Sequence, residues 1–216
     1  MLRKKPKQSR SQATVNACLE ATARILEQEG LQALTTNRVA EVAGVSVGSL
    51  YQYFPNKSSL LLALAEHHAE TDWEDFGNFV STVAGARGHS ALEVLVSEMT
   101  EKMTRRPRAR QILAEVTKTL GPSEVLINVR KRYVTAINSI LNRPAGKEAD
   151  AWVVYHTLET ATAAIAFESK DSAEREARKQ SLVRLLEPVF SARLTQGASF
   201  ASAPINGDTI ENAASA

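Results

Sequence analysis

Apolar residues recur along this chain at intervals of three and four, and no strand-like alternation is sustained anywhere. That spacing predicts an all-α chain. A first helix is expected over residues 11–29, with Val15, Cys18, Leu19, Thr22 and Ile25 on its apolar side and Gly30 as its stop. Two short helices follow over 36–43 and 47–54, separated by Gly44-Val45-Ser46. A long helix over 58–84 opens on the apolar run 60–65 and ends in the glycine-rich 85–88. Further helices are expected over 90–106, 107–120, 122–142, 147–168 and 171–193, the last two after a break at 143–146. Pro107 and Pro122 belong to first turns, where no N–H is needed. The nine helices divide into three in a small N-terminal head and six in a larger body. The expected segments are an arm (1–11), a head (12–57), a body (58–193) and a tail (194–216) whose Ala, Ser, Gly, Asn and Pro content predicts disorder.

The two short helices carry the most information. Two helices joined by a turn of three or four residues containing Gly form the geometry that presents a helix to the DNA major groove. Thr35 or Thr36 is placed to cap the first, because a hydroxyl accepts an otherwise unpaired N–H. Val39, Val42 and Ala43 fall on one inward face. Gly44 sits where the chain reverses and a positive φ is needed. Val45 plugs the turn, and Ser46 is a natural cap for the second helix. Val47, Gly48 and Ser49 then form its bare N-terminal end. Leu50 and Phe54, four apart, are expected to face the core, with Tyr51 and Tyr53 outward beside phosphates. Lys57 stands near the start of the next helix, where a cation and a helix N-terminus together favour a phosphate.

This stretch resembles the DNA-binding domain of the TetR/AcrR family of bacterial transcriptional regulators. The resemblance rests on Thr35-Thr36, Val39-Ala40, Ala43-Gly44-Val45-Ser46, Gly48-Ser49-Leu50-Tyr51, Tyr53-Phe54 and Asn56-Lys57, within residues 12–66. Beyond it, only helix count and chain length match. Many relatives carry an acidic residue after the Asn-Lys pair, where this chain has Ser58 and Ser59; either serine suits a cap. The resemblance implies a homodimer on a palindromic operator, with the last two helices pairing across subunits as a four-helix bundle.

Charge is placed accordingly. Residues 1–60 hold eight cations against four anions, a net +4 that leaves −2 for the rest of the +2 chain. Five of those cations stand in the first ten residues, with no anion among them. Such a run fits a solvated tail as well as an arm along phosphates or in the minor groove. No apolar run follows it, so a secretory signal is not expected, and no stretch of eighteen apolar residues predicts a membrane span. The single cysteine, Cys18, excludes an internal disulfide, fits a reducing cytoplasm and is expected as a small core residue.

In the body, Trp73, Phe76, Phe79, Met99, Met103, Ile112, Leu113, Val116, Tyr133, Trp152 and Tyr155 are candidate lining for a ligand cavity, with Asn138 and His156 as polar contacts. The same residue types at helical spacing also suit an ordinary core. Thr160 to Ala166 is a stripe of small residues, including Ala161, Ala164 and Ile165, that permits close helix approach. Leu182, Leu185, Leu186 and Val189 supply apolar partners, either across a dimer or within one chain. Neither a nucleophile elbow nor a phosphate or dinucleotide loop is present. Adjacent His67 and His68 point about a hundred degrees apart on a helix, which disfavours one shared metal ion. The cations of Arg105, Arg106, Arg108 and Arg110 are expected at a solvated helix junction. No metal, cofactor or enzymatic chemistry is expected.

Two functions remain open: a ligand-responsive dimeric transcription factor, most simply a repressor, or a helical module that binds small molecules or proteins without reading DNA. In the first, Thr36, Tyr51 and Lys57 hold phosphates, and Thr35 belongs to the same DNA-binding set. Asn37, Val47, Ser49 and Tyr53 read bases, and Gly48 lets the backbone approach.

Overall fold

The computed structural model describes residues 9–82, 89–140 and 148–194. Among them lie nine α-helices: α1 (Ser9–Gln28), α2 (Thr36–Ala43), α3 (Val47–Tyr53), α4 (Lys57–Thr82), α5 (His89–Thr104), α6 (Pro107–Leu120), α7 (Glu124–Ile140), α8 (Glu148–Glu168) and α9 (Ser172–Leu194). No strand occurs among the described residues, and the all-α class matches the expectation. A short 3-10 turn, Leu31–Ala33, was not legible in the hydrophobic pattern. The expected breaks at 85–88 and 143–146, arm residues 1–8 and tail residues 195–216 lie outside the described residues.

Two helix starts differ from expectation in their chemistry. Ser123, not Pro122, opens α7: its hydroxyl accepts the Leu126 N–H at 3.3 Å, leaving Pro122 one residue outside. Asn56 caps α4 by accepting the Ser59 N–H at 2.9 Å, while Ser59 returns a hydroxyl hydrogen bond to the Asn56 carbonyl at 2.6 Å. The Ser59 hydroxyl also accepts the Asn56 N–H at 3.2 Å, the reciprocal bond of a capping box.

The described residues fall into two compact units. The first joins α1, α2, α3 and α4 up to Asp72 with residues 101–129. Its core is built from Val15, Leu19, Ile25, Leu26, Leu34, Val39, Leu50, Phe54, Leu60 and Leu64, all at most 5% exposed. Cys18 is fully buried there, and burial pushes its thiol up to about 11, so it stays a protonated, unreactive core group. Ala109 and Leu113 of α6 belong to the same core.

The arginine run expected at a solvated junction instead fastens α6 to the head. Arg106 makes a paired ion contact with Glu20 of α1, one bond at 2.9 Å, which holds the Glu20 carboxyl below its usual range. Arg110 pairs with Asp72 through bonds of 2.9 and 3.1 Å, with both side chains under 20% exposed. Arg108 donates to the Glu27 and Gln28 carbonyls at the end of α1. The Glu27 carboxylate accepts the Ala109 N–H at 2.9 Å, occupying an otherwise orphan donor in the first turn of α6. Gly30 makes room for this fastening, because a Cβ there would come within 2.5 Å of the Arg108 guanidinium. Sequence spacing showed the cations but not their carboxylates, which stand 38 and 86 residues away.

The second unit takes Trp73–Thr100 and the described residues from Arg130 onward. In α8, Ala151, Val154, Tyr155, Leu158, Thr162, Ile165 and Ala166 form one buried stripe at helical spacing. In α9, Leu182, Val183, Leu186 and Phe190 are buried. The two helices are joined by the turn 169–171, so they run as antiparallel neighbours.

His68 gives the first unit a pH signature. Burial first, then the Arg110 charge, pushes its imidazole down to about 4, against an opposing pull from Asp72 and smaller pushes from His67 and Arg106. The folded state therefore binds this proton less readily than the unfolded chain. Stability is fully present above about pH 6.5 and drains as pH falls toward 4. Between pH 7 and pH 5, wild type should lose about 2 kcal/mol more than His68→Gln. Urea unfolding at both pH values measures the difference, and parallel losses would refute the assignment.

Candidate nucleic-acid interface

The turn between α2 and α3 is closed by specific bonds. Thr35 caps α2, its hydroxyl accepting the Arg38 N–H at 3.1 Å. Gly44 ends α2 at φ 67°, ψ 31°, and the Val45 N–H reaches the Ala40 carbonyl at 3.0 Å. Ser46 caps α3, accepting the Ser49 N–H at 3.0 Å. Each device stands at the residue where the sequence placed it.

What faces outward follows from which edge of α3 is buried. Leu50 and Phe54 are fully buried, as expected. Tyr53 is buried too, at 9% exposure, which corrects its expected place among base-reading residues. It stands three residues after Leu50, and residues three and four apart share a helix face. Tyr51 points the other way and is 41% exposed, with its hydroxyl 3.0 Å from the Thr36 hydroxyl. The two expected phosphate ligands, fifteen residues apart, thus meet on one surface.

Val47 is 40% exposed, and Thr35, Asn37 and Gly48 are exposed as well. Ser49 is half-buried, and its hydroxyl sits 2.7 Å from that of Ser46, tied into the cap. Lys57 is half-buried and donates its ammonium to the Leu31 carbonyl, which removes it from the freely exposed cations. Arg38 is likewise committed, to Glu29 and Glu41 at 3.0 Å each.

Gly48 is the most telling residue of this surface. Its φ is not positive, and a Cβ built there would meet only the Ser46 hydroxyl at 4.0 Å. Nothing in the folded protein requires a glycine, although glycine is a poor helix former.

The body candidates separate. Trp73, Phe76, Tyr133 and Tyr155 pack together in the second unit, with ring centroids 4.9 to 5.7 Å apart and the Arg132 guanidinium over Trp73 at 5.2 Å. Tyr155 donates to Glu159 at 2.9 Å, and burial raises its hydroxyl well above the usual range. Met99 is half-buried in that unit, while Met103, Leu113 and Val116 belong to the first unit. The Phe79 side chain lies outside the described residues. Trp152 is also removed from a cavity lining: it is 54% exposed, because it follows Ala151 and is turned off the buried stripe. The His156 ring lies tilted against Trp152, centroids 4.2 Å apart, and approaches Glu159 at 3.2 Å. Buried Arg130 Nε and Asn138 Oδ1, on α7, have no hydrogen-bond partner.

Of the expected dimer residues, Ile165, Leu182 and Leu186 are buried at 6–8% exposure, since they complete the stripes of α8 and α9. They are therefore unavailable to a second subunit. Ala161, Ala164 and Val189 are half-buried, and Leu185 is 76% exposed. Trp152 and Val153, at 54% and 55%, complete the uncovered apolar set on these helices.

The geometry is that of a helix-turn-helix head, and comparison with known proteins agrees. Residues 19–64 match the family described as bacterial regulatory proteins, tetR family. Residues 19–64 thus carry the DNA-binding domain that defines that family. It is 30% identical over 108 residues to the nucleoid occlusion factor SlmA of Haemophilus ducreyi, covering 49% of this chain and 52% of that one. It is 37% identical over 90 residues to the HTH-type transcriptional repressor KstR of Mycobacterium tuberculosis, covering 41% and 40%. The chain thus spans about half or less of the length of these two relatives. A TetR-family transcriptional regulator from Streptomyces coelicolor shares its fold at TM-score 0.57 and 25% identity, over 85% of this chain and 99% of that structure. A putative regulator of the family from Rhodococcus sp. gives TM-score 0.61 at 18% identity, over 83% and 99%.

Gly48→Ala should therefore separate stability from binding. The free protein should gain about 0.5–1 kcal/mol, because alanine is the better helix former and finds room. Affinity for duplex DNA should fall at least tenfold. Urea unfolding beside fluorescence anisotropy tests both, and DNA affinity that rises with stability would refute the interface.

Proposed function

We propose that the protein is a homodimeric, ligand-responsive transcription factor, a repressor, that sets its two α3 helices into successive major grooves of a palindromic operator. The observation that carries this is the bare N-terminal end of α3, with an exposed Val47 and a glycine that the protein's own packing does not need. Helix-turn-helix dimers place half-sites about 34–36 Å apart or at multiples of that. Val47 meets a thymine methyl and Asn37 a base edge, while Thr36 and Tyr51 hold phosphates as a bonded pair. The repressor role follows the printed role of the mycobacterial relative. No helix among the described residues is long and apolar enough to cross a membrane, which accords with action on chromosomal DNA in the cytoplasm.

Dimerisation is assigned to α8 and α9. Counted from the turn that joins them, Trp152 and Val153 stand at nearly the height of Leu185, so the uncovered apolar side chains gather at one end of the helix pair. An effector is assigned to the second unit. Its polar anchors are the unpartnered Arg130 Nε and Asn138 Oδ1, because buried polar atoms almost always find a partner. Helix α4 has residues in both units, so it is the covalent route by which an effector acts on the head. The effector works through its different affinity for two head spacings.

Binding to duplex DNA should weaken steeply with salt, with a slope of about −0.9 per phosphate contacted. Tyr51→Phe should cost about 1 kcal/mol uniformly across sequences. Anisotropy titrations at two salt concentrations measure both; a flat salt response would instead indicate a binding module that does not read DNA. Leu185→Glu should shift the protein toward monomer in sedimentation equilibrium, and an unchanged dimer would reject the assigned face.

A further inference from the structure

The first unit holds a cavity of about 630 Å³ beside the start of α4, lined also by Leu31 and the outer face of α6. That volume falls within the range of about 300–1,000 Å³ typical of small-molecule sites. Leu61, Ile112, Val116 and Leu120 supply apolar lining, and Leu120 is left 48% exposed. Leucine at that exposure on a cavity wall is apolar area still open to cover.

The polar groups of the lining have capacity to spare. The Lys57 ammonium has three donors and spends one on the Leu31 carbonyl. Ser58 and Gln111 have no side-chain partner among the described residues. Glu115, the other charged lining residue, makes an exposed contact with Lys118 at 2.8 Å. Lys57 is the cation among the described lining residues, and it stands at the first residue of a helix, where the backbone adds positive potential.

We propose that this cavity binds a small amphipathic carboxylate. The anionic group sits on Lys57 and the Ser58 hydroxyl, and the apolar body lies against Leu61, Ile112 and Val116. Such a ligand bridges the first turn of α4 to α6 inside the head unit. It is separate from the effector site assigned to the second unit.

The test is isothermal titration of the full chain with decanoate and with 1-decanol, in the absence of DNA. The outcome therefore does not depend on whether the chain reads an operator. Decanoate is expected to bind with one site per protomer, at least tenfold tighter than the alcohol. Lys57→Gln should weaken decanoate at least tenfold. Val116→Trp should fill the cavity and abolish the site, and Leu120→Trp, on an exposed residue that leaves the core intact, should weaken it severalfold. No saturable binding up to 1 mM, equal affinity for acid and alcohol, or affinities unchanged in Lys57→Gln and Leu120→Trp would each overturn the proposal.

Discussion

A helix of seven residues cannot persist alone in water, because nucleating it costs more than its few hydrogen bonds return. α3 exists because Leu50, Tyr53 and Phe54 are buried in the core of the head. Everything functional about the head follows from that burial. With this edge held down, the remaining faces of α3 have no protein to meet, and the first turn stands out with Val47 and Gly48. The caps at Thr35 and Ser46 and the left-handed Gly44 then hold α2 and α3 at a defined angle. The hydroxyl pair Thr36–Tyr51 joins their outer faces.

The head is larger than its three short elements. α6 contributes Ala109 and Leu113 to the same core and is held by three arginines that each find a different acceptor on α1 or α4. These bonds differ in weight. The Arg106–Glu20 pair is exposed and screened by solvent, so it adds little. The Arg110–Asp72 pair is more deeply placed, and removing one partner there would strand a charge in a poorly hydrated site. A displacement of α6 is therefore felt at α1 and along α4, both of which carry head core residues. That connection gives physical content to coupling between a ligand on α6 and the pose of α3.

Elsewhere the chain separates covering from exposing by one residue. Ala151 completes the buried stripe of α8 while Trp152, its neighbour, stands in solvent. Leu186 is covered and Leu185 is not. Adjacent apolar residues thus have opposite roles, set by a rotation of about a hundred degrees per residue. The aromatic rings of Trp73, Phe76, Tyr133 and Tyr155 lie 4.9 to 5.7 Å apart, so an effector there would bear directly on their packing.

The helices, the turn at Gly44, the caps and the inward places of Leu50 and Phe54 were legible in the residues, because each depends on chemistry within a few positions along the chain. So was the resemblance of the head to the TetR-family domain, since its motif lies in one unbroken segment. Tyr53 was legible in principle: its spacing from Leu50 marks it as buried, and only the appeal of its hydroxyl pointed outward. The partners of Arg106, Arg108 and Arg110 were beyond reach. So were the role of Lys57 at the Leu31 carbonyl and the division of the proposed lining residues between two units. These depend on contacts between residues tens of positions apart, which local periodicity does not encode. Local chemistry selected the helices; long-range packing decided which of their faces remained for anything else to touch.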